Sequence, residues 1–269
     1  MKIESGAVAY VSGGGSGIGR GIAMNLAELG VRVGVVDILE ADAIQTVALI
    51  EEKGGQAIAI EADVSDAAAT EAAADKLESA LGAVSIVCNN AGVAMHGVPM
   101  HEIKTADWDW VIGVNIYGII HGIQTFVPRL LELGKPAHIV NTASIGGFQV
   151  NAGFLTGAYS MTKFAALALT EGLQNELADS NIGVSVLAPA AVDSGFHLAE
   201  RSRPERFGGP YVRPENHFMG DIIKDSTQPH EIGAHVVQAI LNDKFYIFTH
   251  PETKQWLEER HARIIGAFD

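Results

Sequence analysis

The feature that most constrains this chain is a glycine-rich loop, Ser12-Gly13-Gly14-Gly15-Ser16-Gly17-Ile18-Gly19. Residues 7–11 before it are apolar and predict a buried strand, while residues 20–29 after it predict a helix that stops at Gly30. A strand, a glycine loop and a helix in this order are typical of dinucleotide-binding folds. The helix N-terminus attracts a pyrophosphate, and Gly13, Gly17 and Gly19 would let the backbone approach it. Taken alone, the loop also fits a flexible turn.

Length, net charge and cysteine count argue for a globular protein and against nucleic-acid-binding, membrane-bound and disulfide-stabilised classes. The chain has 269 residues, which suits one large α/β domain or two small ones, and its 48% hydrophobic and 19% charged residues indicate a globular chain with a sizeable core. Its net charge of −14 argues against nucleic-acid and anionic-membrane partners. The single cysteine, Cys88, excludes an internal disulfide and is interpreted as a small buried hydrophobe. We find no signal peptide and no apolar run near the roughly 20 residues of a membrane helix, so we expect a cytoplasmic protein.

Strand and helix patterns alternate along the whole chain, which predicts the fold class. We expect one Rossmann-like α/β domain over residues 1–269, with a doubly wound parallel sheet of about seven strands and helices on both faces. Further strands are predicted at 31–36, 56–61, 84–88, 138–142, 183–187 and 245–249. Helices are predicted at 40–53, 66–81, 105–134, 159–177 and 229–241, and from Pro251 onward. Residues 194–228 are predicted to form a substrate loop or lid, and 245–268 a C-terminal strand and helix.

Polar residues at the predicted carboxyl ends of strands suggest a ligand crevice. Asp37 ends the second strand about 20 residues after the glycine loop, where an acidic residue holds ribose hydroxyls. The alternative is an ordinary polar residue at a strand end. Asn89-Asn90-Ala91-Gly92 follows the fourth strand and could line the same crevice, although these residues also favour a turn. Asn115 lies inside an apolar helix, where its amide needs partners if it is buried.

Tyr159 and Lys163 are four residues apart on a predicted helix and therefore share one face. A lysine ammonium about 4 Å from the phenol would favour the phenolate by roughly 4 kcal/mol at an effective dielectric near 20. We therefore expect the pKa of Tyr159 to fall from about 10 toward neutrality, where acid–base catalysis is most effective. On its own, such a pair is usually an ordinary packing or surface pair.

The order of these motifs, with Ser144 after the fifth strand and Tyr-x-x-x-Lys opening the next helix, resembles the short-chain dehydrogenase/reductase family over roughly residues 7–195. The resemblance implies hydride transfer between a nicotinamide and an alcohol or carbonyl carbon. It implies that Tyr159 is the acid–base residue, that Lys163 lowers its pKa and that Ser144 polarises the substrate oxygen. It also implies that Asn115 holds a water in a proton relay.

The resemblance also implies the cofactor site and its specificity. The expected cofactor residues are Gly13, Ser16, Gly17, Ile18, Gly19, Asp37, Asp63, Val64, Asn90, Ala91, Gly92, Tyr159, Lys163, Pro189 and Val192. NAD is expected over NADP, because the Asp37 carboxylate would repel a 2′-phosphate and no basic residue follows at Ile38 or Leu39. The alternative function is a nicotinamide-binding regulatory or scaffold protein. The expected assembly is a homodimer or homotetramer.

The predicted substrate is a bulky, hydrophobic secondary alcohol or ketone held under the lid. The chain is only 7% aromatic, yet the loops after the strands are rich in large apolar residues. Met95, Phe154 and Phe196 are the expected pocket residues, with Phe148, Phe207, Tyr211 and Phe218 as further candidates. Arg201, Arg203 and Arg206 are interpreted as solvated loop charges. The scattered histidines predict no metal site.

Overall fold

The computed structural model describes residues 2–151, 153–211, 220, 223–224 and 226–268. Seven parallel strands form one sheet in the order β3-β2-β1-β4-β5-β6-β7, which confirms the predicted Rossmann-like fold class. The strands are β1 (Val8–Ser12), β2 (Arg32–Asp37), β3 (Ala57–Glu61), β4 (Ile86–Asn89), β5 (Ala137–Thr142), β6 (Ile182–Ala188) and β7 (Tyr246–Phe248).

Helices follow the strands in the alternation that the sequence predicts. They are α1 (Gly17–Glu28), α2 (Glu40–Glu52), α3 (Ala67–Leu81), α4 (Thr105–Ile112), α5 (Gly118–Leu133), α6 (Gly157–Glu176), α7 (Pro229–Leu241) and α8 (Lys254–Ile265). The region predicted to be irregular after β6 contains short 3-10 turns at Gly195–Ser202 and Glu205–Phe207.

The sheet is buried on both faces, which explains why its strands are almost continuously apolar. On one face, Val11 and Val35 pack in a cluster with residues of α1, α2 and α7, such as Ile22. On the other face, Tyr10 packs in a cluster with residues of α3, α5 and α6, such as Phe126. Alternate residues of one strand therefore anchor the two opposite helical layers, because successive side chains point to opposite faces.

The long helix predicted at 105–134 is interrupted by one π-helical turn, Gly113–Tyr117, between α4 and α5. By length and composition alone, Thr105–Leu133 could cross a membrane, contrary to the expectation that no segment would. However, 56% of its most apolar window is buried against the rest of the protein, an environment typical of a core helix. The π turn carries Asn115, and such turns occur frequently at functional sites.

The sheet order reverses between β1 and β4, since β2 and β3 lie to one side of β1 and β5 to β7 lie beyond β4. Ligands of open α/β sheets bind outside the carboxyl ends of the strands at this switch point. The glycine loop follows β1, and Asn90 follows β4. The topology therefore brings the predicted cofactor residues to one crevice.

Candidate active site

The glycine loop forms a cradle that side chains would fill. Gly13 has φ +63°, and a Cβ atom there would lie 2.9 Å from the Cα atom of Ala91. Gly17 has φ +49°, a conformation that disfavours other residues. A Cβ atom at Gly19 would lie 2.0 Å from the carbonyl oxygen of Gly13, so Gly19 lets the loop pack closely on α1. Within the described residues, Ser16 makes no side-chain cap, so the first N–H groups of α1 are not capped by it.

One cavity of about 640 Å³ adjoins this loop and contains most of the predicted site. Its lining includes Gly13, Ser16, Gly17, Ile18, Asp37, Asp63, Val64, Asn90, Ala91, Gly92, Ser144, Phe154, Tyr159, Lys163, Pro189, Val192 and Phe196. Three predicted site residues do not line it: Gly19, Asn115 and Met95.

Asp37 is fixed against the glycine loop by two backbone hydrogen bonds. Its Oδ2 atom accepts from the N–H of Gly15 at 2.9 Å, and its Oδ1 atom accepts from the N–H of Leu39 at 3.0 Å. Burial raises the pKa of the Asp37 carboxyl above its ordinary value, although these two bonds act in the opposite direction. The Asp37 carboxylate is thus held in position at the end of the cavity that adjoins the glycine loop.

Ser12 joins the loop after β4 to the end of β1. Its Oγ atom accepts from the N–H groups of Asn90 at 3.0 Å and Ala91 at 3.1 Å. The side-chain amide of Asn90 donates to the carbonyl oxygen of Ser12 at 3.0 Å. Asn90 and Ala91 are therefore rigidly placed beside Gly13, a role that the sequence did not reveal for Ser12.

Ser144 and Tyr159 meet at the other end of the cavity. The Ser144 hydroxyl donates to the carbonyl oxygen of Pro189 at 3.3 Å and accepts from the N–H of Gly146 at 3.1 Å. The neighbouring Ser144 hydroxyl lowers the pKa of Tyr159. Burial is the larger effect, and it raises the pKa of Tyr159 to about 12. Tyr159 is therefore a neutral phenol at pH 7 in this structure.

Lys163 lies beside Tyr159 but does not bring its pKa toward neutrality. Its Nζ atom donates to the carbonyl oxygen of Thr142 at 2.9 Å and lies 5.7 Å from the centroid of the Tyr159 ring. Burial lowers the pKa of Lys163 to about 8. The expectation of a lowered Tyr159 pKa is wrong here, because desolvation of the phenol outweighs the effect of its neighbours. Sequence spacing indicates a shared helix face but not the degree of burial.

Asn115 is fully buried, and protein groups satisfy its amide. Its Oδ1 atom accepts from the N–H of Val93 at 2.8 Å, while Nδ2 donates to the carbonyl oxygen of Val93 at 3.0 Å and to Thr162 Oγ1 at 3.0 Å. Asn115 thus ties the segment after β4 to α6, the helix that carries Tyr159. Its role in a water relay stays a prediction.

Phe196 and Phe154 line the substrate end of the cavity, and Phe196 packs edge-on against Tyr159 with ring centroids 5.7 Å apart. Met95 is buried in an apolar cluster with Trp110 and does not line the cavity. Phe148, Phe207 and Tyr211 are not lining residues either, and Phe218 lies outside the described residues.

Trp256, His96 and Gln149 also line the cavity, although none of the three was named as a pocket residue; His96 and Gln149 lie in the loops expected to border the crevice, whereas Trp256 was not expected there. Trp256 comes from α8, at the far end of the chain from the glycine loop. No motif or spacing marks it, because its place depends on how α8 docks against the sheet. His96 and Gln149 lie in loops after β4 and β5, where position relative to a strand end was the available signal.

The three loop arginines form ion pairs with three different elements. Arg203 is 6% exposed, pairs with Asp107 at 2.6 Å and lies over the ring of Trp110. Its interpretation as a solvated charge is wrong, because α4 supplies a carboxylate and an aromatic face that the sequence could not place nearby. Arg206 pairs with Asp63 at 2.7 Å, and Arg201 pairs with Asp42 at 3.3 Å.

Cys88 is fully buried in β4, and burial raises the pKa of its thiol to about 12, which confirms its interpretation as a small hydrophobe. Across the described part of the chain, no group of three or more His, Cys, Asp or Glu side chains could hold a metal ion.

Comparison with known proteins agrees with this geometry. The family model described as short chain dehydrogenase matches residues 7–205. The chain is 36% identical over 271 residues to a C alpha-dehydrogenase of Sphingobium sp. strain SYK-6, covering 99% of this chain and 88% of the relative. It is 34% identical over 253 residues to the 1-deoxy-11-beta-hydroxypentalenate dehydrogenase of Streptomyces avermitilis, covering 94% and 87%.

A solved structure of a short chain dehydrogenase/reductase from Burkholderia phymatum, in complex with NAD, is similar along almost the whole chain. The TM-score is 0.91 at 34% sequence identity, with 98% of this chain and 96% of that chain covered.

Proposed function

The chain belongs to the short-chain dehydrogenase family, a family of nicotinamide-dependent oxidoreductases, and we propose that it is an NAD-dependent dehydrogenase or reductase acting on a bulky, hydrophobic secondary alcohol or ketone. One observation carries the proposal. A single cavity contains the glycine loop and Asp37 at one end and Ser144, Tyr159 and Lys163 at the other.

The residues present fit a nicotinamide dinucleotide. The loop offers a cradle that a Cβ atom at Gly13 would fill, next to the N-terminus of α1, which favours a pyrophosphate. Asp37 would hold the hydroxyls of the adenine ribose and disfavour a 2′-phosphate. NAD in the Burkholderia phymatum structure supports the same choice here. When bound, the nicotinamide ring supplies the hydride acceptor or donor.

The protein's own groups would move and position the proton. In the reductive direction, the neutral Tyr159 hydroxyl donates a proton to the substrate carbonyl oxygen, and the Ser144 hydroxyl orients that oxygen by a hydrogen bond. In the oxidative direction, the Tyr159 phenolate accepts the proton of the substrate alcohol. The Lys163 ammonium, 5.7 Å from the ring centroid, stabilises that phenolate. Asn115 holds the backbone at Val93 against α6 and would anchor a water relay.

The lining of the substrate end of the cavity supports an apolar substrate. Phe154, Phe196, Trp110 and Trp256 contribute aromatic surface there, as is typical of sites for apolar small molecules. The Streptomyces avermitilis relative is named for the dehydrogenation of a hydroxy compound, which supports an alcohol as the reacting group.

We further propose that residues 1–269 form one domain with a lid at about 194–228, that the protein is cytoplasmic and that it assembles as a homodimer or homotetramer. The described part of the lid supports its role, because Phe196 contacts Tyr159 and Arg203 forms an ion pair with Asp107 of α4.

Absorbance at the reduced-nicotinamide band tests the proposed activity. The purified protein is assayed with NAD and NADP against aryl and alicyclic secondary alcohols, the matching ketones and small sugar alcohols. Turnover of a bulky alcohol or ketone with NAD supports the proposal. Binding of NADH without turnover of any member of the panel would favour a regulatory protein, and preferred turnover of a sugar alcohol would exclude the hydrophobic substrate class.

A further inference from the structure

A lid cation lies at the end of the cavity where Asp37 is held. The Arg201 guanidinium lines the same cavity as Asp37. Its Nη2 atom lies 3.3 Å from Oδ2 of Asp42, and its Nη1 atom donates to the carbonyl oxygen of Gly195 at 3.4 Å. Arg201 therefore reaches from the lid across to α2, beside the glycine loop.

Asp37 and Asp42 lie side by side at this place. A Cβ atom built on Gly15 would lie 2.8 Å from Oδ2 of Asp37 and 2.8 Å from Cβ of Asp42. The lid approaches from the other side, since a Cβ atom on Gly17 would lie 3.1 Å from Cβ of Ser194. The position predicted for the adenine ribose thus has two carboxylates on the sheet side and one guanidinium on the lid side.

We propose that Arg201 is a second determinant of cofactor specificity, a guanidinium that faces the 2′ position of the adenine ribose and opposes the exclusion of a 2′-phosphate by Asp37. The inference rests on the proposed function, because it requires that the cavity binds a nicotinamide dinucleotide. The sequence expectation of NAD over NADP considered only Asp37 and its sequence neighbours Ile38 and Leu39, and Arg201 adds a basic residue that is distant in sequence.

The chemistry of arginine suits this role. A guanidinium offers a planar fork of N–H donors that matches phosphate, and it keeps its charge at every working pH. In the native protein Nη2 of Arg201 pairs with the Asp42 carboxylate, and the Asp37 carboxylate repels the 2′-phosphate of NADP. Without the Asp37 carboxylate, the Arg201 guanidinium, which lines the cavity, would be available to attract a 2′-phosphate. The side chain is 42% exposed, so salt will screen part of the attraction.

Arg206 provides a matched control. It lies on the same lid, is 46% exposed and pairs with another carboxylate, Asp63, at 2.7 Å. Loss of either arginine removes one ion pair between the lid and the rest of the domain. Of these two arginines, Arg201 is the one that lines the same cavity as Asp37. A general loosening of the lid would therefore appear in both variants, whereas a specific contact with the 2′-phosphate would appear only in Arg201→Met.

The test measures dissociation constants of NADH and NADPH, which differ only in the 2′-phosphate, by the fluorescence of the reduced nicotinamide. The proteins are wild type, Asp37→Ser, Asp37→Ser/Arg201→Met and Asp37→Ser/Arg206→Met, with Asp37→Asn as the background if Asp37→Ser does not fold. We expect removal of the aspartate to strengthen NADPH binding. Adding Arg201→Met should weaken NADPH binding about fivefold, the worth of a partly screened charge pair, and NADH binding less than about twofold.

The effect of Arg201→Met on NADPH should shrink at high salt, and Arg206→Met should change NADH and NADPH binding by the same factor. Equal effects of Arg201→Met on the two nucleotides, or a selective loss of NADPH binding in Arg206→Met, would overturn the inference. Failure of the proposed function is a distinct result, because then no variant would bind NADH.

Discussion

The Nζ atom of Lys163 lies 5.7 Å from the centroid of the Tyr159 ring and donates its hydrogen bond, at 2.9 Å, to the carbonyl oxygen of Thr142. The lysine thus influences the phenol through space, while a backbone bond to the end of β5 holds it in place. Lys163 is buried and Tyr159 is partly buried, and this desolvation raises the pKa of Tyr159 and lowers that of Lys163. Desolvation disfavours both the Tyr159 phenolate and the Lys163 ammonium, and these two pKa values therefore determine how activity should depend on pH.

The two reaction directions should respond oppositely to pH. With a pKa of about 12, Tyr159 is a phenol at neutral pH, and its phenolate fraction rises about tenfold per pH unit. We expect kcat/KM for alcohol oxidation to rise between pH 7 and 9, less steeply above about 8, where Lys163 loses its charge. Ketone reduction, which uses the phenol, should not rise. Steady-state pH profiles check this, and a flat oxidative profile would contradict it.

Gly13→Ala should abolish tight cofactor binding. The new Cβ atom would lie 2.9 Å from the Cα of Ala91 at a residue with φ +63°, so the loop or the segment after β4 must shift. We expect the dissociation constant of NADH to rise at least about tenfold, a loss of about 1.4 kcal/mol, measured by fluorescence titration. Gly172→Ala is the control, because its Cβ atom would meet nothing within 4 Å inside α6. Equal NADH dissociation constants for the two variants would contradict the claim that the cofactor binds against the glycine loop.

Asn115→Leu should destabilise the fold. It leaves the N–H and C=O of Val93 without the amide that now satisfies them, and Thr162 Oγ1, which keeps its bond to the carbonyl oxygen of Tyr159, loses one donor. An unsatisfied buried polar group costs about 1–3 kcal/mol, so we expect the free energy of unfolding to fall by about 3 kcal/mol in urea denaturation. Asn242→Ala, which removes one exposed bond to Gln238, should change it by less than about 0.5 kcal/mol. Similar losses in the two variants would mean that the Asn115 network contributes little.

His138 should make the protein less stable in acid. It is fully buried beside Ser185, and burial lowers its pKa to about 4, so the folded state stays neutral while the unfolded state binds a proton below about 6.5. Stability is therefore lost as pH falls from about 6.5 to 4, by up to about 3 kcal/mol. Urea denaturation at pH 7 and 4.5 should show a smaller loss for His138→Gln than for wild type. His101→Gln, at an exposed site, should lose as much unfolding free energy between pH 7 and 4.5 as the wild type does. An equally large loss in His138→Gln would show that His138 is not the cause of the acid destabilisation.

The sequence predicted the residues whose positions follow from strand ends and helix faces. The glycine loop, Asp37, Ser144, Tyr159 and Lys163 all line one cavity, because the carboxyl ends of parallel strands meet at one edge of the sheet. It did not predict the positions of Met95, Arg203 and Trp256. Those depend on how loops and α8 dock against distant elements, and no local pattern encodes that docking.

The direction of the Tyr159 pKa was missed for a related reason. Spacing placed Lys163 on the same helix face, and a distance of about 4 Å at an effective dielectric near 20 gave a large stabilisation of the phenolate. The structure adds the degree of burial, the hydrogen bond of Lys163 to Thr142 and the longer separation. Desolvation depends on the full three-dimensional packing, so a sequence interval alone cannot give its size.

Turnover of Tyr159→Phe tests the central claim most directly. The substitution keeps the ring, its edge contact with Phe196 and its place near Lys163, and removes only the hydroxyl that exchanges a proton with substrate. Steady-state rates with the best alcohol or ketone of the panel are compared with wild type, alongside NADH binding and circular dichroism. We predict a fall in kcat of about 10² to 10⁴ with NADH binding and fold retained. Near-wild-type turnover by the folded variant would contradict the account.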